Sequence, residues 1–470
     1  MSTPASGFEP FQKMMEKSGS PPVAIESFKY YFNRLARGDT GTISEADIRP
    51  LERLPDIEDL RSEKLADIGR QVMQRAVIVK LNGGLGTGMG MKQAKSLLKV
   101  KDGLSFLDII VRQGRSLEAS VPLVFMNSFS THDATREALK AYPHLEGGRV
   151  PLDFLQHRIP RVDADRLAPV ENPDQPHLEW CPPGHGDVYL ALQTSGMLDR
   201  LLEAGCEVAF VSNSDNLGAV LDPVLLGYFI QRGWAFMMEA ADRTEADRKG
   251  GHLARLLKSR RYVLREVAQT PASDQGAFQD IQRHRYFNTN NIWLHLPSLK
   301  KLMHQREGVL GLPMIRNLKP LDPRYPESTP VYQLETAMGA AISIFDADSA
   351  GAVRVPRTRF TPVKSTNDLL AVRSDGFVLT DRYQLIPNPR RTLDPIRIDL
   401  DPTYYRLVDR FESRFPFGAP SLVDCESLQI NGDVRFGRGV TLNGWVSVFN
   451  ATSEPFQIGD LRRVQGELRV

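Results

Sequence analysis

Apolar and polar positions change their spacing repeatedly along this chain, and each change marks an element. AVIVKL, from Ala76, is a short apolar run interrupted only by Lys80, the pattern of a buried strand. In LSFLDIIVRQGRSL, from Leu104, apolar residues recur three and four apart, which predicts a helix. VPLVFMN, Val121 to Asn127, returns to the strand pattern, and HDATREALKAY to the helical one. DVYLALQTSGMLDRLLEAG and PVLLGYFIQRG read as helices, CEVAFVSNSDNLG from Cys206 and WAFMMEAA from Trp234 as strands. Strands and helices taking turns over roughly 200 residues predict an α/β unit with a mixed, mostly parallel sheet. Ligands of such sheets sit beyond the carboxyl ends of the strands, where NGGLG, MNSFS and NSDN fall.

The flanks have another character. Residues 1–72 read as an N-terminal helical region, punctuated by Pro21, Pro22 and the GDTGTIS turn. Residues 73–384 hold the alternating unit. Residues 385–470 are first rich in Pro, Arg and Asp; from Ile430 they show short alternating runs split by Gly, Asn and Asp. That predicts a small C-terminal β-helix or β-roll, of left-handed β-helix type. Its apolar faces need cover from the main domain or from a second subunit, which makes a homo-oligomer through this domain an expectation.

Composition narrows the classes. A chain of 470 residues exceeds one ordinary core, and 41% hydrophobic with 25% charged residues is the balance of a soluble globular protein. A formal charge of +2 predicts neither nucleic acid nor membrane as a partner. No apolar run approaches the roughly 20 residues that cross a bilayer. The first residues, MSTPASGFEPFQKMMEKSGS, contain no apolar core of signal-peptide length. Cys181, Cys206 and Cys425 are too scattered for a disulfide framework or a Cys-rich zinc site, so a reducing cytoplasm is expected.

The candidate chemistry starts at LNGGLGTGMGMKQAK, Leu81 to Lys95, with five glycines in the eight positions from Gly83 to Gly90. Glycines let the backbone approach a ligand and turn successive N–H groups on one anion. Lys92 and Lys95 stand among residues that favour a helix, whose dipole would add to their charges. A Walker A loop is excluded, because no GKS or GKT occurs. The dinucleotide fingerprint fits only loosely, since the last glycine falls one place late, at Gly90. A plain strand-to-helix turn is the bland alternative. The lysines favour a phosphate-rich substrate over a passive cofactor.

The loop resembles the nucleotide-binding loop of the UTP–glucose-1-phosphate uridylyltransferases, usually written LNGGLGTxMGxKxxK. Further segments resemble that family in order: PLVFMNSF, FLQHRIPRV, PPGHGD, FVSNSDNLGA, FNTNNIW, QLETAMGAA and VPRTRFTPVKSTNDLL. Together they cover roughly residues 75 to 375. The resemblance implies a Rossmann-like nucleotidyltransferase domain of the SGC or GT-A type. It also implies reversible transfer of UMP from UTP to glucose 1-phosphate, giving UDP-glucose and pyrophosphate with Mg²⁺.

By the same resemblance Leu81, Asn82, Gly83 and Gly84 line the nucleotide, and Lys95 reaches its phosphates. Gln156 is the uracil contact, because an amide both donates and accepts; Met126 walls the base and Gly184 lies against it. His185 and Asn213 face the sugar phosphate, and Asp215 is the metal carboxylate, since Mg²⁺ favours carboxylate and phosphate oxygens. Asn290 and Glu335 are expected at the sugar hydroxyls. Lys364 corresponds to the family's PVK lysine, which stabilises the α-phosphate; Arg357 and Arg359 either supplement it or face solvent.

The chain departs from the family pattern in three places. Gln93-Ala94 stands where GP is usual, Gly88 where serine is frequent, and IPRV, Ile159 to Val162, where YPRI is usual. None removes a charge. A broader UDP-sugar pyrophosphorylase, taking galactose 1-phosphate or an N-acetylhexosamine 1-phosphate, is the neighbouring alternative. The N-acetylhexosamine group shows LAGGxGTRxG in its loop, against which Asn82 and Gly88 count. A non-catalytic nucleotide-sugar sensor would have lost Lys95, Asp215 or Lys364, and all three are present.

Overall fold

The apolar run from Ala76 is the centre of the molecule. The computed structural model describes residues 7–145, 148 and 150–470, so the first six residues of the expected N-terminal helical region lie outside it. All seven residues of Ala76–Asn82 are buried, as in a strand covered on both faces.

This strand belongs to a sheet of ten: β1 (Ile48–Pro50), β2 (Ala76–Asn82), β3 (Leu123–Asn127), β4 (Asp153–Leu155), β5 (Val208–Asn213), β6 (Phe236–Asp242), β7 (His252–Leu256), β8 (Tyr262–Arg265), β9 (Tyr286–His295) and β10 (Ala350–Arg354). Four neighbours, β5-β2-β3-β4, run parallel, and their carboxyl ends are in register. Asn213 lies beside Leu81, Leu81 beside Met126, and Met126 beside Phe154. The other half is organised by β9, which is antiparallel to β5, β6 and β7, while β6 and β10 are parallel. The register between β6 and β9 jumps after Glu239, leaving Thr289 and Asn290 as a bulge with Asn290 at φ 57°.

Helices cover the sheet where the 3.6-residue period predicted them. Phe106–Arg115 starts with a capping box between Ser105 and Asp108. The expected helix around Gln193 breaks at Gly196 into Val188–Thr194 and Met197–Glu203. Helices Glu9–Lys17 and Pro22–Ala36 bury Phe11, Phe28 and Phe32 against Ile159, Val162 and Leu334, so the N-terminal region packs on segments that flank the site.

The C-terminal strands form two parallel sets. Arg397–Leu400, Cys425–Asn431, Thr441–Phe449 and Arg463–Arg469 make one, and Val434–Phe436 with Phe456–Ile458 the other. Their inward residues, among them Ile430, Phe436, Leu442 and Val448, join the same apolar cluster as Leu369 and Leu370. The main domain therefore supplies cover for this β-helical unit.

Helix Glu63–Val72 leads into β2, and helix Pro223–Arg232 follows the loop after β5. They cross glycine to backbone: a Cβ on Gly69 would stand 1.8 Å from the Pro223 carbonyl oxygen, and one on Gly227 1.9 Å from that of Leu65. Gly227→Ala is therefore expected to lower stability by about 1–3 kcal/mol despite alanine's better helix propensity. Urea unfolding of the variant checks this, and unchanged stability would show that the helices can separate at no cost.

Candidate active site

A helix needs uniform right-handed backbone, and the glycine loop forbids it. Gly86 and Gly90 adopt left-handed φ values of 70° and 74°, and the Lys95 N–H turns back to the Gly84 carbonyl at 3.0 Å. Two short 3₁₀ turns, Thr87–Met89 and Lys95–Leu97, and a small hairpin of Lys99–Lys101 with Leu104–Ser105 separate β2 from the helix at Phe106. The expected helix dipole behind the loop is thus absent, and what the loop presents to the site is glycine backbone and the Lys95 side chain. Lys92 is exposed; Lys95 points inward.

The loop opens on a cavity of about 300 Å³ at the carboxyl ends of the parallel strands. Its walls contain Leu81, Gly83, Gly84, Lys95, Met126, Gln156, Gly184, His185, Asn213 and Asp215, joined by Pro182 and Ser214. Ten residues expected from five separate stretches of sequence therefore meet in one space.

Backbone and side-chain bonds fix the wall opposite the loop. The Gln156 N–H donates to the Asn127 carbonyl at 2.8 Å, and its side-chain Nε2 to the Gly184 carbonyl at 2.9 Å. A Cβ on Gly83 would stand 2.7 Å from Gln156 Oε1, so this glycine makes room for the amide. Gly184, at φ 80°, lies so close to the strand Pro330–Thr336 that a Cβ would reach 2.5 Å from the Thr336 carbonyl. His157 and Asp187, which the sequence reading passed over, lock the two segments: His157 N–H donates to Asp187 Oδ2 at 2.8 Å, and its Nδ1 lies 2.9 Å from Oδ1.

His185 Nδ1 accepts the Met338 N–H at 2.9 Å, which leaves the ring proton on Nε2. Burial, and then the nearby Lys364 charge, push this imidazole down to about 4.

Lys95 Nζ and Asp215 Oδ2 are 2.6 Å apart, with side chains 13% and 18% exposed. Asp215 Oδ1 is buried and has no hydrogen-bond partner among the described residues. Next to it, Asn216 accepts the Thr361 N–H at 2.9 Å and donates to the Arg359 carbonyl at 3.1 Å, while Val363 N–H reaches the Asp215 carbonyl at 3.2 Å. Lys364 is thereby held beside the Asp215 loop, with its side chain exposed.

Four expected residues stand outside the cavity wall: Asn82, Asn290, Glu335 and Lys364. Asn82 is turned beneath the loop, donating to Asn127 Oδ1 at 2.8 Å and Thr135 Oγ1 at 2.9 Å. Asn290 sits in the β9 bulge and accepts from Asn288 at 2.8 Å. Glu335 flanks Gly184, and burial pushes its carboxyl up, opposed by Asn317 and Lys319. Neither sequence alternative for Arg359 holds: it is buried in a two-bond pair with Glu239, because the chain folds Pro356–Phe360 over β6. Arg357 pairs with Asp247 at 2.8 Å.

A family model described as UTP–glucose-1-phosphate uridylyltransferase matches residues 25–443. The chain belongs to that family. Among its relatives, the UTP–glucose-1-phosphate uridylyltransferase of Solanum tuberosum is 38% identical over 444 residues, spanning 92% of this chain and 90% of that one. A probable uridylyltransferase of Schizosaccharomyces pombe is 41% identical over 387 residues, 81% of this chain and 74% of its own. The crystal structure of a UDP-glucose phosphorylase from Trypanosoma brucei superposes with a TM-score of 0.90 at 43% identity, covering 99% of both chains. A point mutant of UDP-glucose pyrophosphorylase from Leishmania major, in complex with UDP-glucose, gives 0.92 at 39% over 100% of both.

In this chain the departures from the family's loop are peripheral. Gln93 is exposed and Ala94 buried beneath Lys95, while the Gly88 carbonyl faces Arg406 at 3.4 Å. Leu407 packs so closely on Gly90 that a Cβ there would meet it at 2.9 Å. The C-terminal unit thus backs the tip of the loop.

The depressed imidazole gives a direct test. His185 is expected to stay neutral from pH 8 to about pH 5, because its folded value lies near 4. An NMR titration of the assigned ring checks this, and a midpoint near the ordinary 6.5 would contradict the burial and the Lys364 contact.

Proposed function

We propose that this pocket carries out the family's reaction on UTP and glucose 1-phosphate, yielding UDP-glucose and pyrophosphate, in either direction. The observation that carries the proposal is the meeting of Gln156, Lys95, His185 and Asp215 around one cavity at the ends of parallel strands. Uracil pairs with the fixed Gln156 amide above Met126, the triphosphate lies along the glycine loop, and glucose 1-phosphate enters from the His185 and Asn213 side. Asn290 and Glu335 bind the sugar hydroxyls from the outer rim.

The nucleophile is a phosphate oxygen that already carries negative charge. It attacks the α-phosphorus in line, the new P–O bond forms as the α–β bridge breaks, and pyrophosphate leaves with the electron pair. No proton need be removed, which suits a neutral His185 whose Nε2–H donates to a phosphate oxygen. Lys95 and Lys364 balance the charge that gathers around the α-phosphorus, in a site whose dipoles are fixed beforehand.

The unpartnered Oδ1 of Asp215 suits a divalent cation, and Mg²⁺ is the cation proposed. Among the described residues no group of three His, Cys, Asp or Glu could hold an ion alone, so Asp215 would hold the cation together with substrate phosphate oxygens and water. When bound, the cation supplies neutralising charge to those oxygens. A reducing cytoplasm is the proposed setting: Cys181, Cys206 and Cys425 are all buried, and among the described residues no helix is long and apolar enough to cross a membrane. Trp445 and Leu461, exposed on the C-terminal unit, support self-association through that domain.

Pyrophosphate release with UTP and a panel of sugar 1-phosphates, with and without Mg²⁺, tests the activity. Turnover with glucose 1-phosphate and Mg²⁺ is expected, and its absence would overturn the proposal. Lys364→Ala is expected to lower kcat by about 10²–10³ while UTP binding changes far less. Equal losses in rate and in a UTP titration would remove Lys364 from the transition state.

A further inference from the structure

Lys80 takes no part in the chemistry above, yet it is an amine side chain only 2% exposed. It lies in β2, two residues before Asn82. Its Nζ donates to Ser212 Oγ at 2.8 Å and to the Ala219 carbonyl at 2.9 Å. These acceptors flank the segment Asn213–Gly218 that carries Asp215. The next carbonyl, Val220, accepts from Arg359 Nη2 at 2.9 Å. Two buried basic side chains therefore hold consecutive carbonyls at the exit of the loop, and Lys80 also reaches its entrance.

Packing alone does not account for an amine here. Around Lys80 stand the Phe210 ring at 5.9 Å and Ser212 from β5, Ala219 from the loop, Glu239 from β6, and Arg359, and the residue also lines a cavity of about 130 Å³ whose wall includes Gln113, Asp222 and Arg382. Glu239 is already engaged by two Arg359 nitrogens, so it is not a carboxylate of Lys80's own. Burial, and then the Arg359 charge, push the amine down to about 7, against the opposing pull of Glu239. A methionine would fill the same space without that desolvation cost. What the amine adds is a bridge between the two ends of one loop.

We propose that Lys80 is a positioning residue for uridylyl transfer: it closes the Ser212–Ala219 loop at its base and so fixes Asp215 toward the phosphates and the cation. This rests on Asp215 being the cation's carboxylate, as proposed above. Groups that orient a metal ligand from behind govern metal affinity and rate by about 10–100-fold.

The experiment compares Lys80→Met with the parent chain. Expected are a kcat at least about tenfold lower and a half-saturating Mg²⁺ concentration raised by a similar factor. The KM for glucose 1-phosphate should stay within about twofold, because Lys80 does not touch the sugar side. Electron paramagnetic resonance of Mn²⁺ with protein and UTP should show the same weakening without turnover. Parent-like Mn²⁺ binding and kcat, with only a lower melting temperature, would overturn the proposal. Should Lys80→Met not fold, Ser212→Ala decides, since it removes one acceptor and no charge. A shift in Mn²⁺ affinity and kcat in the same direction supports the bridge, and parent-like values overturn it. Asp215→Asn separates the two ideas: parent-like Mn²⁺ binding in that variant would refute the cation assignment itself, whatever Lys80 does.

Discussion

Arg359 and Glu239 form a buried ion pair, 3% and 0% exposed, and the arrangement of the site depends on it. Both contacts are 2.7 Å, from Arg359 Nε to Oε2 and from Nη2 to Oε1 of Glu239. Glu239 also accepts from Trp293 Nε1 at 2.9 Å and Asn291 Nδ2 at 3.0 Å. The Arg359 carbonyl accepts from both Asn216 and Asn291. Strands β6 and β9, the Asp215 loop and the segment leading to Lys364 are thus one bonded unit. Burying two charges is costly, and removing one partner of such a pair costs about 3–5 kcal/mol. The pair is better understood as fixing one arrangement than as adding stability.

That arrangement places charge where the reaction needs it. The parallel strands bring Gln156, Lys95 and Asp215 to one edge of the sheet, and the Arg359 unit adds Lys364 from the other side. In the proposed reaction, substrates of high negative charge would meet lysine side chains, one carboxylate and a neutral imidazole already in place, so little reorganisation would remain for the chemical step. The helices at Gly69 and Gly227 press β2 and the Asp215 loop together from behind, and Arg406 and Leu407 reach the loop tip from the C-terminal unit. Distant parts of the chain therefore all bear on the same few side chains.

Much of this was legible before the structure. Short apolar runs located β2, β3, β5 and β6, and the 3.6-residue period located the helices between them, because each is a local preference. The ordered motifs located the cavity wall almost residue by residue. The helix expected after the glycine loop failed because left-handed glycines at 86 and 90 outweigh the helix propensity of their neighbours. Glu239, Arg359, Lys80, His157 and Asp187 carried no local signal. Their roles come from contacts between residues about 30 to 140 positions apart, such as Arg359 with Glu239 and Lys80 with Ala219. A buried arginine and an exposed one look alike in sequence, which is why Arg359 was open between phosphate and solvent.

The central claim is that the Asp215 loop and Lys364 act as one unit, tied by Asn216 to the Arg359 segment. A double-mutant cycle on kcat for pyrophosphate release, combining Asn216→Ala with Lys364→Ala, measures that coupling. If the claim holds, Asn216→Ala slows the parent enzyme strongly and the Lys364→Ala enzyme hardly at all, because the group it positions is already gone. If the two losses simply multiply, the residues act independently and the account is wrong.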